Sequence, residues 1–318
     1  MTQVAVLALG GNSLIKDKSH RSVPDQYAAC IETCKRIVSL LEHGYNLVIT
    51  HGNGPQVGFI LRRSDLSQHE LHPIPLDSCV ADTQGAIGYN IQMALSNELR
   101  KAGMCRTIVS LVTQTVVDAN DTAFENPTKP VGSFMSEAVA LQRSREGGWK
   151  VMDDAGRGFR RVVPSPEPQE IVELDAIRSL LDRGVIVIAV GGGGIPVIRD
   201  KQGNLKGVEA VIDKDLASSL LAQQLKADIF MISTTVPQVY LNYEKPDQIA
   251  IDRMTVEAAE QCIEDGQFSR GSMLPKIRAC IQFIEATGHH AIITNPKNIA
   301  RALKGKSGTM LCCAIDKG

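Results

Sequence analysis

The stretch Asn46-Leu47-Val48-Ile49-Thr50-His51-Gly52-Asn53-Gly54-Pro55-Gln56-Val57 decides how the chain folds. Its apolar run has strand length and gives way to a Gly/Asn loop, followed by a proline suited to the first position of a helix. Glycine permits positive φ and close backbone approach, and proline is tolerated there because its missing donor would have no helical partner. The segment therefore reads as a buried strand, an anion-competent loop and a helix whose first N–H groups face that loop. Gly and Asn also serve plain turns, so the loop alone leaves a ligand site and a purely geometric role both open.

The same grammar repeats on either side. The run Val4-Ala5-Val6-Leu7-Ala8-Leu9 stops at Gly10-Gly11-Asn12. A helix is predicted from about Pro24, with Ile31, Cys34, Val38 and Leu41 on one face, ending near Gly44. Gly103, Gly184 and Gly288 then precede apolar runs at 107–112, 185–190 and 291–294, as helix C-caps precede parallel strands. Further helices are predicted over 82–102, where Ile87, Ile91, Leu95 and Leu99 share a face, and over 169–182 and 214–226. This alternation predicts an α/β protein with a parallel sheet flanked by helices. Residues 118–168 break the pattern with prolines, Gly147-Gly148 and the only tryptophan, Trp149, and predict an irregular inserted subdomain or lid. Gly203 and Asn204 predict a hairpin between Arg199 and Lys206.

A length of 318 residues with 43 % hydrophobic content supports one large domain or two lobes. With 34 basic and 35 acidic side chains the charge is −1, which gives no reason to expect nucleic acid or a membrane surface as partner. No apolar run approaches the roughly 20 residues of a spanning helix, and no signal-type segment opens the chain, so a cytoplasmic location is expected. The eight cysteines lack zinc spacing, and Cys30 and Cys34, on one helix face, read as buried thiols.

Chemistry is suggested at four places. Gly191 to Gly194 follow an apolar strand, where backbone amides can cradle anionic oxygens at the carboxyl edge of a parallel sheet. Pro196 rules out a dinucleotide fingerprint there, and Ala300 rules out a P-loop ending at Gly305-Lys306-Ser307. Lys129, Lys214 and Lys276 lie in low-charge surroundings, two of them at predicted helix starts, where a flexible cation and helix amides can meet one anion. Asp213 and Asp215 can hold those lysines or bind magnesium through water. The plainer alternative leaves Lys129 and Lys276 facing solvent and Asp213 as a helix cap.

Taken together, Ala8 to Asn12, Thr50 to Gly58, Asn126-Pro127-Thr128-Lys129-Pro130, Gly191 to Pro196, Ala210 to Ala217 and Gly271-Ser272-Met273 with Pro275-Lys276 resemble carbamate kinases. These belong to the amino-acid kinase superfamily, and the resemblance runs from residue 4 to about 312. It implies a three-layer αβα sandwich around an eight-stranded, mainly parallel sheet with a small protruding lid subdomain. It further implies a homodimer and reversible phosphoryl transfer between carbamoyl phosphate and MgADP, with Mg2+ carried by the nucleotide and no metal ligands from the protein. Residues 1–187, including the lid at about 118–168, would form a carbamoyl phosphate and carbamate lobe, and 188–318 a nucleotide lobe. Gly10, Gly11 and Asn12 with Gly52, Asn53 and Gly54 would hold the carbamate side and the transferred phosphoryl group. Lys129 would reach in from the lid. Lys214 and Lys276 would contact the transferring and leaving oxygens with Asp215 orienting them, Asp213 would lie on the nucleotide side, and Tyr243 and Met273 would pack the adenine. The chain departs from the wider pattern at Ser233-Thr234-Thr235, at Ser133-Phe134-Met135 and around Trp149. A kinase for another small carbamate or carboxylate, and a catalytically silent nucleotide-binding relative, therefore stay open as alternatives.

Overall fold

Val4–Leu9 (β1) and Asn46–His51 (β2) pair in parallel with Leu9 opposite His51, so the two glycine loops leave the same edge of one sheet. The computed structural model describes residues 3–11, 14–15, 19–20, 22–154, 156–269 and 271–314. Between these strands runs α1 (Val23–Glu42), opened by a capping box in which Ser22 and Asp25 satisfy each other's backbone N–H. After β2 come α2 (Gly54–Ser67), α3 (Leu76–Lys101), β3 (Ile108–Ser110) and β4 (Gln114–Val117). Then follow β5 (Lys129–Met135), α4 (Glu137–Gly147), β6 (Val151–Asp153), β7 (Phe159–Val163) and β8 (Pro168–Ile171). The next elements are α5 (Leu174–Asp182), β9 (Ile186–Ile188), β10 (Ile195–Arg199), β11 (Leu205–Gly207), α6 (Lys214–Leu225) and β12 (Ile229–Ser233). A small hairpin of β13 (Val239–Leu241) and β14 (Ile249–Ile251) precedes β15 (Arg253–Thr255) and α7 (Val256–Glu264). The described chain closes with α8 (Met273–Thr287), β16 (Ala291–Thr294), α9 (Ile299–Leu303) and β17 (Thr309–Cys312).

The central sheet has eight strands in the order β15-β17-β16-β12-β1-β2-β9-β3, and its only antiparallel junction is between β16 and β17. Because side chains alternate across a strand, a run that is apolar throughout must have a core on each face. That is what forms. Val6, Val48, Phe230 and Ile232 pack toward α5, α6 and α8, whereas Leu7, Leu47, Ile49 and Met231 pack toward α1, α3 and α9. The three-layer αβα arrangement expected from the resemblance is present.

Three boundaries differ from the sequence reading. α3 starts at Leu76 instead of 82, because its first turns bury Leu76, Cys79 and Val80 against Val57 and Val131, a different partner from the one faced by Ile87 and Ile91. The predicted helix over 169–182 begins only at Leu174; its first residues form β8, which pairs with β4 in a second, four-stranded sheet β11-β10-β4-β8. Residues 118–168 are more regular than expected. They contain an antiparallel sheet β5-β7-β6 and α4, with Pro130 on an edge strand and Gly148 closing α4 in the left-handed conformation. The position 187–188, where the resemblance would divide two lobes, lies in β9. The hairpin predicted at 199–206 is present as β10–β11, with Gly203 at φ +87°.

Candidate active site

β12, β1, β2 and β9 are consecutive parallel neighbours, so Ser233, Gly10, Gly52 and Gly191 gather at one carboxyl edge. Gly10 N donates to Ser233 O at 2.9 Å, and Gly52 N donates to Leu9 O at 3.0 Å. A Cβ on Gly10 would lie 2.8 Å from Ser233 O, so packing requires glycine there, and one on Gly52 would lie 3.3 Å from Gly11 N, a tight fit. Gly11 and Gly54 differ: among the described residues, and apart from its chain neighbours and its own helix, a Cβ on either meets no atom within 4 Å. Asn12 lies outside the described residues.

The loop after β2 leaves its helix uncapped. Asn53 is the N-cap of α2, yet its side chain makes no capping bond and instead donates to Thr83 Oγ1 on α3 at 2.9 Å. The side chain is buried, so Asn53 can offer a ligand its backbone and not its amide group. The first-turn N–H groups of α2 have no intrahelical acceptor, and they keep the partial positive charge that favours an anion.

Gly191 to Gly194 do not form the open cradle suggested by the sequence. All four are buried. A Cβ on Gly191 would lie 2.5 Å from His51 Nε2, one on Gly193 2.7 Å from Ile212 O, and those on Gly192 and Gly194 would overlap the side chains of Asn53 and Thr115. Gln84 fixes the run by donating to Thr113 O and Gly191 O, both at 3.0 Å, while accepting from Thr113 N at 2.8 Å. The fully buried Val190 is held at φ +52°, ψ +36°, an uncommon conformation for a β-branched residue, and its N–H donates to Thr113 Oγ1 at 2.6 Å.

The three lysines meet two neighbouring aspartates at the start of α6. Lys214 Nζ lies 2.5 Å from Asp215 Oδ1, and Lys276 Nζ lies 2.7 Å from Asp215 Oδ2. Asp215 sits in the first turn of α6 and is 4 % exposed. Asp213 caps that helix by accepting from Asp215 N at 2.9 Å, and its other oxygen accepts from Lys129 Nζ at 2.9 Å. Lys129, on the first residue of β5, thus ties the lid to the start of α6, although it is the most exposed of the three. Of the plainer reading, Lys276 does not face solvent, the Lys129 side chain is 37 % exposed but paired with Asp213, and Asp213 is the cap that reading expected.

Burial opposes the charged form of Asp215, but Lys214 and Lys276 outweigh it and hold the carboxyl well below the usual carboxylate range. Burial also pulls down Lys214, with Asp215 opposing and Lys276 adding repulsion, so its ammonium titrates below its ordinary range. Lys276 is pulled the same way by burial, yet attraction to Asp215 prevails and raises it. The centre is two cations on one carboxylate, with one positive charge unbalanced. His51, at the end of β2, is buried and pushed down to about 4 by burial and by the Lys214 charge, against a raising bond to Gly52 O. That bond, at 3.1 Å to a carbonyl, places the neutral ring's proton on Nδ1.

Tyr243 and Met273 line a cavity of about 370 Å³ together with Thr234, Thr235, Tyr240 and Phe268. Met273 opens α8 and Lys276 follows three residues later, so this cavity and the lysine centre share one helix turn. Tyr240 stacks near Tyr243 with ring centroids 5.9 Å apart.

The model of the amino acid kinase family matches residues 3–295. The chain belongs to this family. This amino acid kinase is 48 % identical over 309 residues to the carbamate kinase of Thermococcus kodakarensis, covering 96 % of this chain and 98 % of that one. It is 46 % identical over 313 residues to the carbamate kinase-like protein YahI of Escherichia coli, covering 97 % and 98 %. Its fold superposes on the carbamate kinase from Giardia lamblia bound to AMP-PNP with a TM-score of 0.92, at 42 % identity and 98 % coverage of both chains. The sequence reading missed Thr83, Gln84, Thr113 and Ser218, which hold the kinase's loops and helix ends. Their only mark in the sequence is a polar residue placed among apolar ones.

Proposed function

We infer that this amino acid kinase is a carbamate kinase, an ATP-dependent phosphotransferase that moves a phosphoryl group reversibly between carbamoyl phosphate and ADP. The observation that carries this reading is the buried Lys214–Asp215–Lys276 centre, set between an uncapped helix start and an aromatic-lined cavity. In the direction of ATP formation, a β-phosphate oxygen of ADP attacks the phosphorus of carbamoyl phosphate. The bond from phosphorus to the carbamoyl oxygen breaks, and carbamate leaves to decay into ammonia and carbon dioxide. The attacking oxygen is already anionic, so no general base is needed, and catalysis consists of alignment and charge stabilisation.

Each residue then has a task. Gly10, Gly11, Gly52, Asn53 and Gly54 line the carbamate side and the transferred phosphoryl group; the amides of Gly10 and Gly52 are engaged by Ser233 O and Leu9 O, so the start of α2 supplies the anion-facing N–H groups. The unexplained glycines Gly11 and Gly54 fit this, since a side chain there would occupy space the protein itself leaves open. Lys214 and Lys276 face the transferring and leaving oxygens, Asp215 keeps their stems in place, and Lys129 adds charge from the lid through Asp213. Tyr243 and Met273 pack the adenine, and Asp213 completes the nucleotide side. Residues 1–187 serve carbamoyl phosphate and 188–318 the nucleotide. Both oxygens of Asp215 and both of Asp213 are already engaged, which suits a magnesium ion held by the nucleotide's own phosphates, where it supplies charge neutralisation. A homodimer in the cytoplasm belongs to the same reading. Tyr89 and Val112 stand exposed near the sheet's free edge strand β3, as a second copy would require. Among the described residues no helix is long and apolar enough to cross a membrane.

The test is ATP formation by purified protein from MgADP and carbamoyl phosphate. Robust synthesis is expected, with Lys214→Ala lowering turnover by roughly 10² or more while the protein stays folded. A folded protein that binds MgADP but makes no ATP would instead favour another small acyl phosphate or a silent relative.

A further inference from the structure

α6 carries two consecutive serines, Ser218 and Ser219, both fully buried. Successive helical residues point about 100° apart, so the two hydroxyls meet different neighbours. Ser218 Oγ donates to Lys214 O at 2.6 Å and lies 2.6 Å from Thr50 Oγ1. A hydroxyl has one hydrogen, and Ser218 uses it on Lys214, so Thr50 is the donor in that pair. Thr50 is itself fully buried and stands two residues before Gly52. Ser219 Oγ donates to Ala279 O on α8 at 2.7 Å, three residues beyond Lys276.

These bonds connect the three elements that supply the proposed chemistry. The ion pairs at Asp215 cannot set backbone distances by themselves, because lysine stems are long and flexible and follow their partner. Bonds from serine and threonine hydroxyls are short and act on the backbone frame. Nor does fold stability require the Thr50–Ser218 bond, since replacing both buried side-chain partners with apolar groups of similar shape costs little.

We propose that Thr50, Ser218 and Ser219 are positioning residues for phosphoryl transfer: their hydroxyl bonds fix the first turn of α6, with Lys214 and Asp215, against the glycine loop after β2 and against Lys276 on α8. The proposal rests on the carbamate kinase reading.

ATP formation is measured for wild type, Thr50→Val, Thr50→Ser, Ser219→Ala and the double variant Thr50→Val/Ser218→Ala, alongside melting temperature and KM for MgADP. Thr50→Val is expected to lower kcat about tenfold, within the range by which small misplacements slow a reaction, with KM for MgADP nearly unchanged. Thr50→Ser restores the rate. The double variant also deletes the Ser218 Oγ–Lys214 O bond, so its rate falls at least as far as the single's, and it melts within about 4 °C of wild type. Wild-type kcat in both Thr50→Val and Ser219→Ala, or a loss that merely tracks unfolding, overturns the proposal. So does a Thr50→Ser variant as slow as Thr50→Val. An inactive wild type is a failure of the carbamate kinase reading instead. The proposal is then judged by NMR of 15N-labelled lysine, where Thr50→Val must move the Lys214 Nζ signal, and an unmoved signal counts against it.

Discussion

Three glycine-bearing segments leave the same sheet edge, and the one after β9 has surroundings opposite to those of the loops after β1 and β2. The run after β9 is filled by protein, with His51, Asn53, Ile212 and Thr115 each occupying the place of a missing Cβ. The loops after β1 and β2 have Gly10 packed against Ser233 O and Gly52 close to Gly11, whereas beside Gly11 and Gly54 no atom of the described residues lies where a Cβ would reach. An apolar strand followed by glycines thus marks where backbones approach closely; whether a ligand or another part of the chain takes the space is decided by what lies opposite.

The comparison is broken most forcefully from the charged side. Asp215→Ala leaves two buried ammonium groups without their carboxylate and is expected to destabilise the protein by about 3–5 kcal/mol, read by denaturant unfolding. A loss under about 1 kcal/mol would mean that the lysines reach water and the open side is not a closed charge centre. Gly192→Ala probes the packed side. Its φ of +67° and the overlap with Asn53 predict a cost of roughly 2–4 kcal/mol, and activity falls with it as Asn53 is displaced.

His51 touches two of these segments, packing on Gly191 and bonding to Gly52 O. Its folded value of about 4 lies below the ordinary 6.5, so between those pH values the unfolded chain binds the extra proton and stability falls as pH falls. By pH 4 the loss reaches about 3 kcal/mol, all of it retained above pH 6.5. His51→Gln should flatten this slope, and an unchanged slope would assign it to other groups. Smallest in stability is Gly54→Ala, expected to alter unfolding by less than about 1 kcal/mol because helix propensity improves. Its turnover should nevertheless fall, and unchanged kcat would show that the open space is not used.

Much of this was readable beforehand. The strand runs at 4–9, 46–51 and 291–294, the glycine caps and the lysines with their aspartates were found from apolar run length and residue chemistry, and the family from its motifs. The first half of α3, strand β8 and the order within the lid were not, because each depends on a partner far away in the chain: Val131 for α3, β4 for β8, and β7 for β5. Gln84 and Thr113 were invisible for the same reason. A polar residue in an apolar segment signals a bond without naming its other end.

By itself, then, the sequence determined the alternation of elements, the edge at which ligands gather and the ionisable groups that could act there, because these follow from local periodicity and side-chain chemistry. Only the tertiary structure decided that Asp215 carries two lysines, that Asn53 turns inward to Thr83, and that four consecutive glycines are packed against His51, Asn53, Ile212 and Thr115. Those outcomes depend on distances between segments brought together by the two cores, and such distances are set by the folded packing as a whole.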